Sequence, residues 1–177
     1  MAIITTKTGD SGTTALLNMI VSKAHPVIDI MGDIDEMACI LGMEGEQFDA
    51  LQTFLSDIMG YMYYRSADSL RLIRQVEALE DYIATHNNSI PPKFINPRGA
   101  ISVARSVCRR CERKIVAFME LEREKPESAR YMDMDAIQKY FNRLSDYLFV
   151  KGFERTAAQP ELFVDEMSAA TPIANVA

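Results

Sequence analysis

A short run near the N-terminus has the residue types that phosphate binding requires. Residues 5–14 read Thr-Thr-Lys-Thr-Gly-Asp-Ser-Gly-Thr-Thr. Gly9 and Gly12 permit a tight turn whose backbone N–H groups converge on an anion. Lys7 adds a positive charge, and Asp10 is a candidate ligand for Mg²⁺, directly or through water. The run lacks the Gly-Lys-Ser/Thr of a Walker A motif, so an exposed turn without a ligand is the alternative interpretation.

A second chemical feature lies in a predicted helix from about residue 100 to 122. Arg105, Arg109 and Arg113 follow one another at intervals of one helical turn, which aligns their side chains on one side of the helix. Such a ladder of guanidinium groups suits a polyphosphate or carboxylates, because each group donates forked hydrogen bonds. Glu112 is placed to pair with one arginine and orient it. Arg110 falls elsewhere on the helix. The alternative is a solvated charged face stabilised by pairs within the helix.

The cysteines of the same helix point to packing. Cys108 and Cys111 form a Cys-x-x-Cys pair, but no second pair or nearby histidine completes a zinc site. Both fall on the apolar stripe of the helix, where thiols behave as small apolar side chains. We therefore predict that the cysteines form no metal site, and we expect them to be reduced.

Four further polar positions have structural alternatives to a functional role. Asp33 and Asp35 precede an apolar helical pattern, and the spacing from Asp33 to Glu36 resembles a capping box. Both aspartates are therefore expected at the start of the first helix. Asn142 and Asp146 lie one turn apart on the last predicted helix, where Asn142 is a candidate for a hydrogen bond to a ligand.

The elements that position these residues are helices. From residue 33 onward, apolar residues recur at steps of three and four in five stretches, separated by a polar and proline-containing break at residues 86–92 and by Pro126. The pattern predicts an all-α fold, a five-helix antiparallel bundle with a non-helical N-terminal segment. One domain is expected over residues 1–156, followed by a loosely ordered tail over residues 157–177.

Composition and charge exclude several classes of protein. The 177 residues suffice for one domain, and the net charge of −6 argues against nucleic acid or an anionic membrane as the main partner. No run of apolar residues is long enough to span a membrane, and the N-terminus has no secretory pattern, so a cytoplasmic location is expected. A ferritin-like metal bundle would need Glu-x-x-His pairs, and neither histidine has a glutamate three residues before it.

Taken in order, the motifs resemble those of the PduO-type ATP:cob(I)alamin adenosyltransferases. The resemblance covers about residues 5–156, most of the chain. It rests on five segments, which are residues 6–14, Gly-Asp-Ile-Asp-Glu-Met at 32–37, Phe-Ile-Asn-Pro at 94–97, the Val-Ala-Arg helix at 103–113 and Asn-Arg-Leu-Ser-Asp-Tyr-Leu-Phe at 142–149.

This resemblance implies a fold, an assembly and a reaction. The fold is a five-helix bundle of the ferritin-like, cobalamin adenosyltransferase-like kind, assembled as a homotrimer with active sites between subunits. The reaction transfers the 5′-deoxyadenosyl group of ATP to the cobalt of cob(I)alamin, which forms adenosylcobalamin and releases triphosphate, with Mg²⁺ as cofactor. A flavoprotein reductase and an adenosylcobalamin-dependent enzyme are the implied protein partners. Cob(I)alamin is itself a strong nucleophile, which agrees with the lack of a histidine-based catalytic motif.

The resemblance also implies roles for individual residues. Arg105 would pair with Asp35 of the partner subunit, and Phe94 would displace the lower axial ligand of the cobalt; these three are the expected catalytic residues. The expected ATP-binding residues are Thr6, Lys7, Thr8, Gly9, Asp10, Gly12, Thr14, Lys23, Arg109, Glu112, Arg113 and Asn142.

One alternative function remains open at this point. The stretch from Pro97 to Ser102 departs from the family pattern, since Arg98-Gly99 stands where the family usually has Gly-Gly and the stretch is about five residues shorter. The alternative is a catalytically weak or inactive paralogue of the same fold that binds ATP, corrinoid or both as a sensor or carrier.

Overall fold

The computed structural model of the chain describes residues 7–17, 19–65, 68–90, 95–126 and 134–156. Within these ranges the chain forms five α-helices and one two-stranded sheet. The predicted helical bundle with a non-helical N-terminal segment is thereby confirmed. Thr6, Phe94 and the predicted tail at residues 157–177 lie outside the described residues.

The N-terminal segment is a loop followed by a β-hairpin. Strand β1 (Thr13–Leu16) pairs antiparallel with strand β2 (Met19–Ser22), with Thr14 opposite Val21. Leu16 is buried in the main core and anchors the hairpin to the bundle, whereas Ile20 is 72% exposed. The sequence pattern did not predict these strands, because they are short and depend on each other for their hydrogen bonds.

The helices are α1 (Pro26–Gly42), α2 (Asp49–Tyr64), α3 (Ser69–His86), α4 (Ala100–Arg123) and α5 (Met134–Thr156). Short 3₁₀ turns at Glu46–Phe48 and Asn87–Ser89 connect to α2 and extend α3. The last four helices match the predicted stripes, and the predicted start of α4 at about residue 100 is confirmed. Among the described residues, no helix is both long enough and apolar enough to cross a membrane.

The predicted start of the first helix is wrong. Helix α1 begins at Pro26, where His25 caps it by accepting a hydrogen bond on Nδ1 from the Val27 N–H at 3.2 Å. Proline suits the first helical position because its fixed φ fits the helix and its missing N–H would have no partner there. Asp33 is therefore no capping residue: it lies two turns inside the helix and is buried.

Helix α4 lies at the centre of the bundle, packed between α1 and α5. Contacts from Asp29 to Lys114 at one end and from Glu44 to the Ile101 N–H at the other show that α1 and α4 run antiparallel. Helices α3 and α5 run in the same direction, since Glu80 contacts Arg143 and His86 contacts Glu154. One core formed by all five helices, with Leu16 from the hairpin, fills the interior.

We expect removal of a core side chain from α5 to be costly. Leu144 is fully buried, and Leu144→Ala should lower the free energy of unfolding by about 2–5 kcal/mol, because apolar burial is lost and a cavity remains. Leu121 on α4 is 53% exposed and gives a matched control, with an expected change of about 0.5 kcal/mol or less. Urea unfolding followed by circular dichroism measures both, and equal losses would contradict this account of the core.

Candidate active site

The N-terminal loop has the tight turns that the sequence predicted. Gly9 and Gly12 lie in consecutive turns, closed by bonds from the Asp10 N–H to the Lys7 carbonyl at 3.4 Å and from the Gly12 N–H to the Gly9 carbonyl at 3.2 Å. Lys7 and Gly12 have positive φ values of 59° and 76°, in the left-handed region. Such a succession of turns directs backbone N–H groups to a common side, as anion-binding nests require.

Lys23 joins this loop although it lies beyond the hairpin. Its N–H donates to the Gly12 carbonyl at 2.9 Å, and its ammonium lies so close to Gly9 that a Cβ atom there would be 2.7 Å from Nζ. Thr8 and Asp10 are exposed in the loop, and Thr14 is half-buried in β1. The predicted loop residues 7–14 and Lys23 therefore form one local group with two positive charges, Lys7 and Lys23.

The arginine ladder lies on α4 as predicted, but its members differ in environment. Arg109 and Arg113 are exposed, whereas Arg105 is half-buried. The Arg105 guanidinium donates from Nη1 to Asn96 Oδ1 at 3.2 Å and lies 4.8 Å from the centre of the Phe149 ring. Its Nε is buried without an acceptor among the described residues. Burial and then the charge of Arg109 lower the pKa of Arg105.

A buried guanidinium N–H without an acceptor lowers the stability of the fold by about 1–3 kcal/mol or more. An additional acceptor at Arg105 would therefore be stabilising. Asp146, one turn before Phe149 on α5, faces the same arginines; burial raises its pKa, while Arg143, Arg105 and Arg109 oppose that shift. Asp35, the predicted partner of Arg105, is exposed on α1, and no contact of its side chain is seen within the described part of the same chain.

The sequence suggested that Glu112 pairs with an arginine of its own helix, but in the structure it does not. Its Oε1 accepts hydrogen bonds from Asn142 Nδ2 at 2.9 Å and from Gln138 Nε2 at 3.1 Å, both on α5. Asn142 in turn accepts from Arg143, and Arg143 donates from Nε to Glu80 at 2.7 Å. This network ties α4, α5 and α3 together, so the predicted ATP-binding residues Glu112 and Asn142 are held in fixed orientations.

An ion cluster between α1 and α4 was not found from the sequence. Asp33 contacts Arg110 at 3.1 Å and Lys114 at 3.0 Å, and Arg110 and Lys114 also reach Glu36 and Asp29. Arg110 therefore binds α1 and takes no part in the ladder. The signal was present as acidic residues at steps of three and four in α1, but only the antiparallel packing of α1 on α4 shows which cations they meet.

The N-terminal loop and Arg105 lie toward opposite ends of α4, with Arg109, Glu112 and Arg113 between them along the helix. His25, at the base of the hairpin, interacts electrostatically with Lys125 and Glu122. The loop at residues 7–14, called the phosphate-type loop below, therefore lies near the C-terminal end of α4. Burial, followed by Lys125, lowers the pKa of His25. Arg105 lies near the other end, about 25 Å away along the axis at about 1.5 Å per residue. In a single chain the loop and Arg105 are therefore far apart.

Two other places are poor candidates for this site. A groove of about 340 Å³ between α3 and α5 is lined by Leu72, Ile73, Val76, Glu77, Glu80, Asp135, Ala136 and Lys139. Three carboxylates against one lysine do not suit a phosphate. Within the described ranges, no group of three His, Cys, Asp or Glu side chains is arranged to hold a metal ion, and Cys108 and Cys111 are buried free thiols as predicted.

Comparison with known proteins agrees with the resemblance. A family model described as cobalamin adenosyltransferase matches residues 4–154. The chain is 32% identical to a cobalamin adenosyltransferase of Cupriavidus metallidurans over 167 residues, which cover 83% of this chain and 84% of the relative. It is 33% identical to the corrinoid adenosyltransferase PduO of Citrobacter freundii, over 82% of this chain and 48% of that longer protein.

A solved structure gives the same result. A variant of a PduO-type ATP:corrinoid adenosyltransferase from Lactobacillus reuteri, complexed with cobalamin and ATP, superimposes with a TM-score of 0.65 at 26% identity, covering 92% of this chain and 99% of the other. The bundle and its hairpin therefore define a known class of fold. This chain belongs to the cobalamin adenosyltransferase family.

The α1–α4 ion cluster leads to a stability prediction. Asp33→Ala should lower the free energy of unfolding by about 1–3 kcal/mol, because Arg110 and Lys114 lose a buried acceptor while remaining partly solvated themselves. Asp81→Ala, at an exposed helical position on α3, should change it by about 0.5 kcal/mol or less. Chemical unfolding compares the two, and an unaffected Asp33→Ala protein would show that the cluster adds nothing to stability.

Proposed function

We propose that this protein transfers the 5′-deoxyadenosyl group of ATP to the cobalt of cob(I)alamin, with release of triphosphate. In this reaction the Co(I) electron pair forms a bond to C5′, the C5′–O bond breaks, and its electrons leave with the triphosphate. Because the corrinoid substrate is the nucleophile, the protein has to orient C5′ and stabilise the charge of the leaving group.

The observation that carries the proposal is the incomplete environment of Arg105. The Nε of this arginine is buried without an acceptor among the residues that the structure describes, while Asp35 is exposed on α1. A homotrimer in which Arg105 pairs with Asp35 of the partner subunit satisfies both groups. The same assembly would bring the phosphate-type loop of one subunit close to Arg105 of another, although the two lie toward opposite ends of α4 in one chain.

Each group of residues then has a task in the reaction. Lys7, Lys23, Arg109 and Arg113 would neutralise the triphosphate, and the turns at Gly9 and Gly12 would offer it backbone N–H groups. Glu112 and Asn142, held by the network to α3, would contact the nucleotide. The remaining ATP contacts proposed in the loop are Thr6, Thr8 and Thr14.

Mg²⁺ fits this site as an ion that ATP brings with it. Magnesium in phosphate sites is held by one or two carboxylates together with phosphate oxygens and water, so a cage of protein ligands is not required. Asp10 is the exposed carboxylate of the loop and would hold the ion. Glu112 already accepts two amide hydrogen bonds and is the weaker candidate.

The corrinoid would lie near the segment that precedes α4. We propose that Phe94 displaces the lower axial ligand of the cobalt, a change that favours reduction to Co(I). A flavoprotein reductase would supply the electron, and an adenosylcobalamin-dependent enzyme would receive the product. The three cysteines are free thiols, which fits the cytoplasmic location that we also propose.

A second candidate is a protein of the same fold that binds ATP or corrinoid without transfer. The segment at Pro97–Ser102 favours it, because Arg98-Gly99 stands where the family usually has Gly-Gly and the stretch is about five residues shorter. A turnover assay separates the two. Incubation with ATP, Mg²⁺ and chemically reduced cobalamin should give the absorbance of adenosylcobalamin and free triphosphate. Tight ATP binding with no spectral change would support the second candidate and overturn the first.

Mixing two inactive variants tests the shared site directly. Arg105→Ala and Asp35→Ala should each abolish transfer, whereas Arg74→Ala, at an exposed position on α3, should retain it. If the two variants are unfolded and refolded together, every mixed cyclic trimer regains one intact pair out of three. Random mixing should then restore about one quarter of the wild-type rate.

Absence of any recovery in the mixture would show that the two residues do not act across a subunit boundary. Sedimentation of each variant reports independently on whether the trimer has formed, so loss of assembly is distinguished from loss of chemistry.

A further inference from the structure

The C-terminal part of α5 holds the segment before α4 in place at an unusually close contact. Gly152 is buried in α5, and a Cβ atom at this position would lie 2.5 Å from Pro97 Cβ, 2.7 Å from Pro97 Cγ and 3.1 Å from Ile101 Cγ2. These distances are far below van der Waals contact, and a proline ring is fixed to its own backbone and cannot swing away. Pro97 can therefore occupy its place only if residue 152 has no side chain.

The segment held by Gly152 leads directly to Arg105. Asn96, next to Pro97, accepts the hydrogen bond from Arg105 Nη1 at 3.2 Å. Phe149, one turn before Gly152 on the same helix, provides the ring on which the guanidinium lies. The position of Arg105 is thus defined on both sides by the last two turns of α5, once through Phe149 and once through Gly152, Pro97 and Asn96.

Further contacts fix the helices on either side of the segment. Near the end of α3, the Tyr82 hydroxyl donates to Glu154 at 2.6 Å and accepts from Lys151 at 2.8 Å. These bonds tie α3 to the turn of α5 that contains Gly152. Where the segment enters α4, Glu44 accepts a hydrogen bond from the Ile101 N–H at 3.1 Å. We therefore expect a displacement of Pro97 to be passed to the adjacent Asn96.

We propose that Gly152 is a positioning residue for the transfer reaction: because it has no side chain, Pro97 rests directly on α5, and Asn96 is held against the Arg105 guanidinium. The expected effect on the reaction rate rests on the proposed function, whereas the expected effect on the position of Pro97 and Asn96 does not. Gly152 touches neither substrate and acts through Arg105.

Gly152→Ala tests the proposal against Gly60→Ala. Both glycines lie inside helices, and a Cβ atom at Gly60 would meet nothing within 4 Å. Alanine favours a helix in both cases, so the two variants share the intrinsic helix effect and differ only in the contact with Pro97. We expect Gly152→Ala to reduce kcat/KM for cob(I)alamin by about tenfold to a hundredfold, as small misplacements of a catalytic group do. The dissociation constant for ATP at the N-terminal loop should be unchanged, and Gly60→Ala should leave both quantities at the wild-type level.

A second readout does not depend on turnover. The chain has no tryptophan, so Ile95→Trp, at a 54% exposed position beside Asn96, introduces a single reporter in the segment. In this background Gly152→Ala should change the emission maximum and the acrylamide quenching of the reporter, whereas Gly60→Ala should leave them as they are. If the wild-type protein transfers no adenosyl group, the proposed function fails, and the reporter still decides whether Gly152 positions the segment.

The link through Asn96 is tested by a double-mutant cycle. Asn96→Ala removes the acceptor without touching the helix, and combining it with Gly152→Ala should lower kcat/KM no further than Gly152→Ala alone, because both act on one contact. Losses that multiply would overturn the proposed route. Equal reporter spectra and equal kinetics for Gly152→Ala and Gly60→Ala would overturn the proposal as a whole.

If Gly152→Ala does not fold, Pro97→Ala removes the ring from the same contact and should give the same reporter change and kinetic loss. Wild-type behaviour of the Pro97→Ala variant would also overturn the proposal.

Discussion

The close packing of α4 between α1 and α5 is the constraint on which the rest of the structure depends. Ala104, Cys108 and Cys111 are fully buried along this helix, and their small side chains let both neighbours approach. The Cys108 thiol donates to the Phe141 carbonyl of α5 at 3.3 Å, and burial raises the pKa of both thiols, so they remain neutral. With the apolar stripe buried against two helices, the arginines and Glu112 are left at its margins, where a ligand can reach them.

The charges of α1 show how the same helix serves two purposes. Asp33 faces α4 and is buried against Arg110 and Lys114, which stabilises the bundle. Asp35 lies two residues later and therefore points away from that contact, since each helical residue turns by about 100°. Within the described residues of one chain, Asp35 makes no side-chain contact and the buried Nε of Arg105 has no acceptor, so the two groups are complementary. This complementarity is why we regard one chain as part of a larger working assembly.

A reaction whose nucleophile is supplied by the substrate leaves the protein with tasks of position and charge. The fold meets them with rigid parts: Glu112, Asn142, Arg143 and Glu80 form a continuous network across three helices. The end of α5 does the same for Arg105, through the ring of Phe149 and through the close contact of Gly152 with Pro97. Catalysis by orientation and electrostatic stabilisation depends on this kind of support, because side chains that are free to move lose most of the benefit.

The sequence by itself determined the helical class, the position of four helices, the turn at Gly9 and Gly12 and the ladder on α4. These features depend on local spacing, which is written directly in the chain: apolar residues at steps of three and four, and arginines one turn apart. The same local information failed at residue 33, where the spacing from Asp33 to Glu36 suggested a capping box and a helix start, although the stripe of α1 already begins at Val27.

Only the tertiary structure decided which side chains meet. It assigned Arg110 to Asp33, Glu112 to the amides of α5, and Arg105 to Asn96 and Phe149, because these contacts join residues that are distant in the chain and depend on the direction in which the helices pack. It also placed the phosphate-type loop and Arg105 at opposite ends of α4. The contact of Gly152 with Pro97 could not be predicted from local sequence spacing. Residue 152 must be glycine because Pro97 lies against it, and only the folded bundle brings Pro97 there.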